Sequence, residues 1–233
     1  MRVFSGIKNI KAGLYLLYKQ YISPLNKSGY GRIGEHSVIK NNTTINKKNV
    51  FIGDYCIIQD QINFISNKGK LIVGKYSVVS SGCTVIPGSH LLTVGVPFYI
   101  SAMNHINDDE GDIIIEEDCW IGAGCILLPK CHVGRGAVVG AGSVVKKNVL
   151  PYAVVVGSPA RIIATKFTKE EIIKHEQILY PPEERMTISQ LNQLFEENYQ
   201  GLRSIGVDYM GNEDKQRICS IRDEIGMNNF SNL

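Results

Sequence analysis

Apolar residues return at every sixth position between Ile115 and Leu150. Written in sixes, the stretch reads IEEDCW, IGAGCI, LLPKCH, VGRGAV, VGAGSV, VKKNVL. The first place of each hexad holds Ile115, Ile121, Leu127, Val133, Val139 and Val145, and the fifth holds Cys119, Cys125, Cys131, Ala137, Ser143 and Val149. Neither the 3.6-residue turn of a helix nor the alternation of a simple strand yields a strict period of six. A unit this short cannot bury an apolar face alone, so successive units must stack into a solenoid. The pattern predicts a mainly β fold.

The same register can be followed upstream. It starts at Ile33 with IGEHSV, IKNNTT and INKKNV plus one extra residue, resumes at Ile52 with IGDYCI and IQDQIN, and blurs over residues 64–71. Asn67, Lys68 and Gly69 predict a turn there. VGKYSV, VSSGCT and VIPGSH restore it from Val73 to His90, after which residues 91–112 break it and end in the polar run NHINDDEGD. A long insertion in a solenoid marks a functional face.

The flanks follow other rules. Val3, Ile7, Ile10, Leu14, Leu17 and Tyr21 form a helical stripe over residues 1–24, ended by Pro24 and the turn formers after it. Two readings of this amphipathic helix stand: a cap over the open end of the solenoid, or a basic helix in peripheral contact with a membrane surface. Downstream, Thr168 with Glu171 predicts a capped helix to Leu179, Thr187 caps a second carrying Leu191, Leu194 and Phe195, and a third is expected from Glu213 to Ile225. The expected division is therefore a helix and linker over 1–30, a β-solenoid over 31–165 with the loop 91–112 inserted, and a helical extension over 166–233.

Composition changes this picture little. The 233 residues are 44% apolar and 20% charged, with a net charge of +3 that gives no ground for a nucleic-acid partner. No apolar run approaches the ~18 residues of a spanning helix, and the N-terminus makes a poor signal peptide, so a cytoplasmic location is expected. Cys119, Cys125 and Cys131 match no usual zinc spacing, and five of the six cysteines fall in fifth places, which points to packing rather than to metal or disulfide chemistry.

The hexads, VIPGSH and the segment CWIGAGCILLPKCHVGRGAVVGAGSVVKKNVLPYAVVVGSPARII resemble the hexapeptide-repeat acyltransferases, and within them the sugar O-acetyltransferases of the maltose and galactoside type and their capsule and O-antigen relatives. The resemblance spans roughly residues 31–165. It implies a left-handed parallel β-helix of triangular section, a homotrimer with active sites between subunits, acetyl-CoA as donor and no metal cofactor. His90 falls where these enzymes place a catalytic histidine. His105, in the dipeptide Asn104–His105, resembles the histidine of the antibiotic-acetylating branch, but lies only 15 residues before Trp120. Asn104 and His105 are expected to line the acceptor pocket. The family draws an orienting partner for the histidine from the coil below, which points to Asn63 or Asp60. Trp120 matches the family's Trp at the acetyl-CoA site, beside Gly122 and Ala123. Gly140 and Ala141 belong to a Gly-rich hexad that lets a pantetheine arm approach the backbone. Lys147 and Arg161 match positions facing the CoA phosphates, and Lys146 stands where Thr is common.

Acetyl transfer from a thioester needs a base for the acceptor and a donor for the tetrahedral oxyanion, and imidazole, with an intrinsic pKa near ~6.5, suits the base. His90 is expected to fill that role in transfer to a hydroxyl of a sugar or glycan precursor. N-acetylation of an amino sugar would use the same site. A reading of another class makes the solenoid a non-catalytic assembly module, since fold does not supply activity.

Overall fold

The computed structural model describes residues 14, 29–40, 43–44, 46–65 and 68–225. Leu14 apart, the amphipathic helix expected over residues 1–24 lies outside the described residues, together with both readings of it.

Short strands occupy the hexads and fall in rotation into three sheets. The first stacks Arg32–Ile33, Val50–Ile52, Leu71–Val73, Ile113–Ile115 and His132–Val133. The second stacks Val38–Ile39, Ile57–Ile58, Val78–Val79, Trp120–Ile121, Val138–Val139 and Ala153–Val156, with Arg161–Thr165 folded back antiparallel at its edge. The third stacks Thr43–Thr44, Asn63–Phe64, Thr84–Val85, Ile126–Leu127 and Val144–Val145. Each coil contributes one strand per sheet and pairs in parallel with the coils on either side, which is a parallel β-helix. Like places stack, as in Val79, Ile121 and Val139.

This stacking explains the period. The six first-place side chains from Ile115 to Val145 all point inward and are at most 1% exposed. Each hexad is a strand followed by a corner, and the corners take a left-handed residue at the fourth place: Asp118, Gly124, Lys130, Gly136 and Gly142 have φ between 54° and 69°. Glycine meets that conformation without penalty, whereas a residue with a Cβ adopts it at a cost of roughly 1–2 kcal/mol. The fifth place then closes the corner. The thiols of Cys56, Cys83, Cys119 and Cys125 donate to the carbonyls of Gly74, Gly122, Gly134 and Gly140 in the next coil, at 3.1 to 3.2 Å. Ser37 and Ser77 do the same with hydroxyls at 2.7 Å. The five fifth-place cysteines are thus packed, as expected, and four of them also donate to carbonyls of the next coil. Burial pushes the thiols of Cys119 and Cys131 up to about 12.

The helical extension lies against the last coils. Helix α1 is Phe98–Asn104 in the insertion; α2 (Lys169–Leu179), α3 (Ile188–Asn198) and α4 (Asn212–Ile225) follow the β-helix. Both expected caps form, Thr168 with Glu171 and Thr187 with Gln190. Leu194 and Tyr199 join the main core, and Tyr152, Ile172 and Leu191 make a second cluster. Polar contacts fix the docking. The buried carboxylate of Glu176 accepts from the Tyr152 hydroxyl at 2.9 Å and from the Met186 N–H at 2.5 Å. Asp118, on a corner of the β-helix, takes Lys166 at 2.5 Å and His175 at 2.9 Å. Burial raises the Asp118 pKa, but the hydrogen bond from His175 and the charge of Lys166 outweigh it and hold the carboxyl below its ordinary value.

Two measurements follow. Ellman's reagent should modify one thiol quickly in the native protein, the exposed Cys219, and all six only in denaturant. Because Asp118 titrates lower folded than unfolded, its contribution is present above the unfolded value of ~3.9 and is lost as pH falls through the folded value. Asp118→Asn should cost about 1–3 kcal/mol in urea unfolding at pH 7, a deficit that should shrink at the acid end.

Candidate active site

The repeat is interrupted earlier than the hexads suggest. After Val85 the chain leaves the third sheet, and Gly88–His90 pairs antiparallel with Asp108–Glu110 in a hairpin whose register sets His90 opposite Asp108. Leu91 N–H donates to the Asn107 carbonyl just beyond, so the excursion closes at its neck. The coil resumes at Ile113, whose N–H reaches the Lys70 carbonyl. Most of the acidic run anchors this hairpin. Glu110 accepts from the N–H groups of Lys68 and Gly69 at 2.6 and 2.7 Å, Asp112 accepts from Lys70 N–H at 2.9 Å, and Asp109 pairs with Lys130.

Asp108 is used differently. Its two oxygens meet two imidazoles: Oδ1 lies 2.6 Å from His90 Nδ1 and Oδ2 lies 2.8 Å from His105 Nδ1. The ring centroids are 6.3 Å apart. Burial raises the pKa of Asp108, and the hydrogen bonds from His105 and His90 more than reverse that, leaving the carboxyl below its ordinary value. An ionised carboxylate can only accept, so each ring donates from Nδ1. Each neutral ring therefore keeps its lone pair on Nε2, the atom a general base needs. The Asp108 side chain is only 11% exposed, while His90 and His105 are 36% and 53% exposed. The carboxylate is sheltered and the rings face outward.

The expected orienting residues are not in this arrangement. Asn63 is exposed on the third sheet and pairs with Thr84, and the Asp60 carbonyl accepts from Gly82 N–H; the carboxylate on His90 Nδ1 is that of Asp108. A coil-below rule looks along the stack, whereas the partner arrives across a hairpin, 18 residues on. The available signal was a histidine and an aspartate at the two polar ends of one insertion. His105 lies beside His90, at the end of α1, with φ 51° and ψ 45°. The Asn104 amide donates to the Ile100 carbonyl at 2.9 Å, within its own helix.

The expected donor residues divide into two groups. Lys146, Lys147 and Arg161 come together, with Asn148, around a cavity of about 320 Å³ floored by Val145, Val155 and Ile162. Val85, Leu127 and Val145 stack in the third sheet, so the hairpin leaves the coil two rungs below this pocket. Trp120 is more than half exposed on the second sheet, its indole N–H donating to Ser80 Oγ at 3.2 Å. Ala123 and Ala141 are exposed on corners. Gly122 is buried: a Cβ there would stand 2.6 Å from the Ala141 nitrogen. One on Gly140 would stand 2.6 Å from the Val156 side chain. Both glycines are thus explained by the passage of the coil above. Among the described residues no group of three or more His, Cys, Asp or Glu is placed to hold a metal ion.

Three parallel sheets fed by six-residue sides define a hexapeptide-repeat β-helix. Residues 112–147 match the family model described as bacterial transferase hexapeptide (six repeats). A chloramphenicol acetyltransferase of Morganella morganii is 47% identical over 62 residues, 27% of this chain and 30% of the relative. A probable macrolide acetyltransferase of Lysinibacillus sphaericus is 29% identical over 123 residues, 53% of this chain and 63% of the relative. The alignments with the chloramphenicol acetyltransferases cover only 30% to 36% of those proteins. Among solved structures, a hexapeptide-repeat acetyltransferase from Vibrio cholerae O1 biovar eltor, complexed with acetyl coenzyme A, superposes with a TM-score of 0.55 at 23% identity over 66% of this chain and 84% of that one.

The tautomers can be read directly. Long-range ¹H–¹⁵N spectra should show both rings as Nδ1–H tautomers in their neutral forms, and Asp108→Ala should release both into mixtures dominated by the Nε2–H form.

Proposed function

We propose that the protein is an acetyl-CoA-dependent acetyltransferase that acts on a hydroxyl of a sugar or glycan precursor, with His90 as general base. The observation that carries this reading is the His90–Asp108 pair, held on a braced hairpin at the long insertion in the repeat, with its basic Nε2 outward. Nε2 of His90 takes the acceptor proton as the oxygen attacks the thioester carbonyl, and Asp108 steadies the imidazolium that forms. No covalent enzyme intermediate is required. Lys146, Lys147 and Arg161 form the binding site for the CoA phosphates, where several cations favour a multiply charged anion. Trp120, with Ala123 and Ala141, flanks the pantetheine arm.

The insertion supplies the acceptor site. Leu92, Val94, Phe98, Tyr99 and Met103 are all more than half exposed there, more apolar surface than an isolated loop normally shows to water. With the coil wound left-handed and three subunits assembled, this surface lies against the neighbouring subunit and the sites form between chains. The five buried free cysteines suit a reducing, cytoplasmic setting. A second acceptor class, a hydroxylated and largely apolar drug, is favoured by the relatives named as chloramphenicol and macrolide acetyltransferases and by the apolar faces of the same loop.

Release of CoA thiol, followed over a panel of sugars, amino sugars and hydroxylated antibiotics, tests the reading. His90→Ala should lower turnover by at least about 100-fold while acetyl-CoA binding changes little. Lys147→Ala with Arg161→Ala should weaken acetyl-CoA binding and spare the chemical step at saturation. Failure to bind acetyl-CoA at millimolar concentration would leave the non-catalytic assembly module as the function of this fold.

A further inference from the structure

General-base catalysis by His90 accounts for one of the two imidazoles on Asp108. We propose that His90, Asp108 and His105 work as one acid–base unit: His90 removes the acceptor proton and His105 delivers a proton to the departing CoA sulfur. This rests on the acetyl-transfer reading above.

The placement of His105 is built rather than incidental. It occupies a left-handed backbone conformation, which a non-glycine residue adopts only when its surroundings fix it. Here Ser101 does so. Its carbonyl accepts from the His105 and Ile106 N–H groups, and its buried hydroxyl donates to the Ile106 carbonyl at 3.0 Å. The imidazole is thereby delivered to the carboxylate oxygen that His90 leaves open.

Charge balance defines the working form of the unit. Ionised Asp108 balances one imidazolium, while a second would put two cations in rings whose centroids lie 6.3 Å apart. The nearby charges are otherwise engaged: Asp109 with Lys130, and Glu110 with the backbone of residues 68 and 69. Helix α1 carries no charged residue. The singly protonated unit is therefore neutral overall, with one ring a base at Nε2 and the other an acid at Nε2. That is the state a direct transfer requires.

The step balances. The acceptor oxygen bonds to the acetyl carbonyl carbon as its proton passes to Nε2 of His90. The C–S bond then breaks, its electron pair goes to sulfur, and sulfur takes the proton from Nε2 of His105. The positive charge has moved from one ring to the other across Asp108, and exchange with water restores the starting form. Asp108 is the positioning residue and the two histidines are the catalytic residues.

The experiment pairs variants with two donors, acetyl-CoA and an acetyl ester of an aryl thiol, whose thiolate leaves without needing a proton. His105→Asn, which keeps a side chain suited to the left-handed backbone, should lower turnover with acetyl-CoA roughly 100-fold and remove the alkaline limb of its pH profile. With the aryl thioester the same variant should come within about threefold of wild type. His90→Asn should stay impaired with both donors, and Asp108→Asn should lower kcat with little change in KM for acetyl-CoA. Thermal melts, with His105→Gln as a second variant, separate loss of fold from loss of function. A folded His105 variant that keeps the wild-type pH profile, or is equally impaired with both donors, overturns the proposal alone. A wild-type protein that transfers acetyl to no acceptor removes the acetyl-transfer reading and this proposal with it.

Discussion

A chain that turns a corner every six residues must satisfy a buried carbonyl at each corner, and the rest of the structure depends on how that is done. The backbone swings through a left-handed residue, and where the fifth place is Cys56, Cys83, Cys119, Cys125, Ser37 or Ser77 its side chain donates to a carbonyl of the coil above. The space is closed and admits only a small side chain. Where that side chain is a donor it pairs a carbonyl that would otherwise cost about as much as a lost hydrogen bond, and Ala137 fills the same place without one. Cysteine and serine both qualify, and both occur. The thiols thus belong with the serines as parts of one device.

Regularity of that kind fixes what the interruption can be. Coils on either side of residues 88–111 remain in register, as Leu71–Val73 pairing directly with Ile113–Ile115 shows. The excursion must leave and return at nearly the same height. An antiparallel hairpin does this with the fewest residues, and its register brings residues 90 and 108 face to face. The catalytic pairing proposed here follows from that geometry.

The fold was legible in the sequence because a period of six has few physical solutions, and the two capping boxes because each is written within four residues. The basic pocket was also legible through Lys146, Lys147 and Arg161. Other parts were hidden for definite reasons. Asp108 sat in a run of acids whose members are chemically alike, and only strand pairing separates its role from those of Asp109, Glu110 and Asp112. Asn63 and Asp60 were drawn from vertical stacking, whereas the contact is made sideways. Gly122 and Gly140 looked like openings for a ligand, yet the coil above already fills the space. The docking of the extension through Glu176 and Asp118 has no local signature, since its partners lie far apart along the chain.

The neck of the insertion has a consequence for change over time. Its anchors, Glu110 on the backbone of residues 68 and 69, Asp112 on Lys70 and Lys130 on Asp109, all lie at or beyond position 109 or in the coil itself. The segment between residues 92 and 104 carries none of them. Apart from Ser101, which holds His105, and Thr93, which accepts from Asn107, that segment is in effect a cartridge. It can be rewritten for a new acceptor while His90, its carboxylate and the coil keep their places, so diversification here carries little risk to folding.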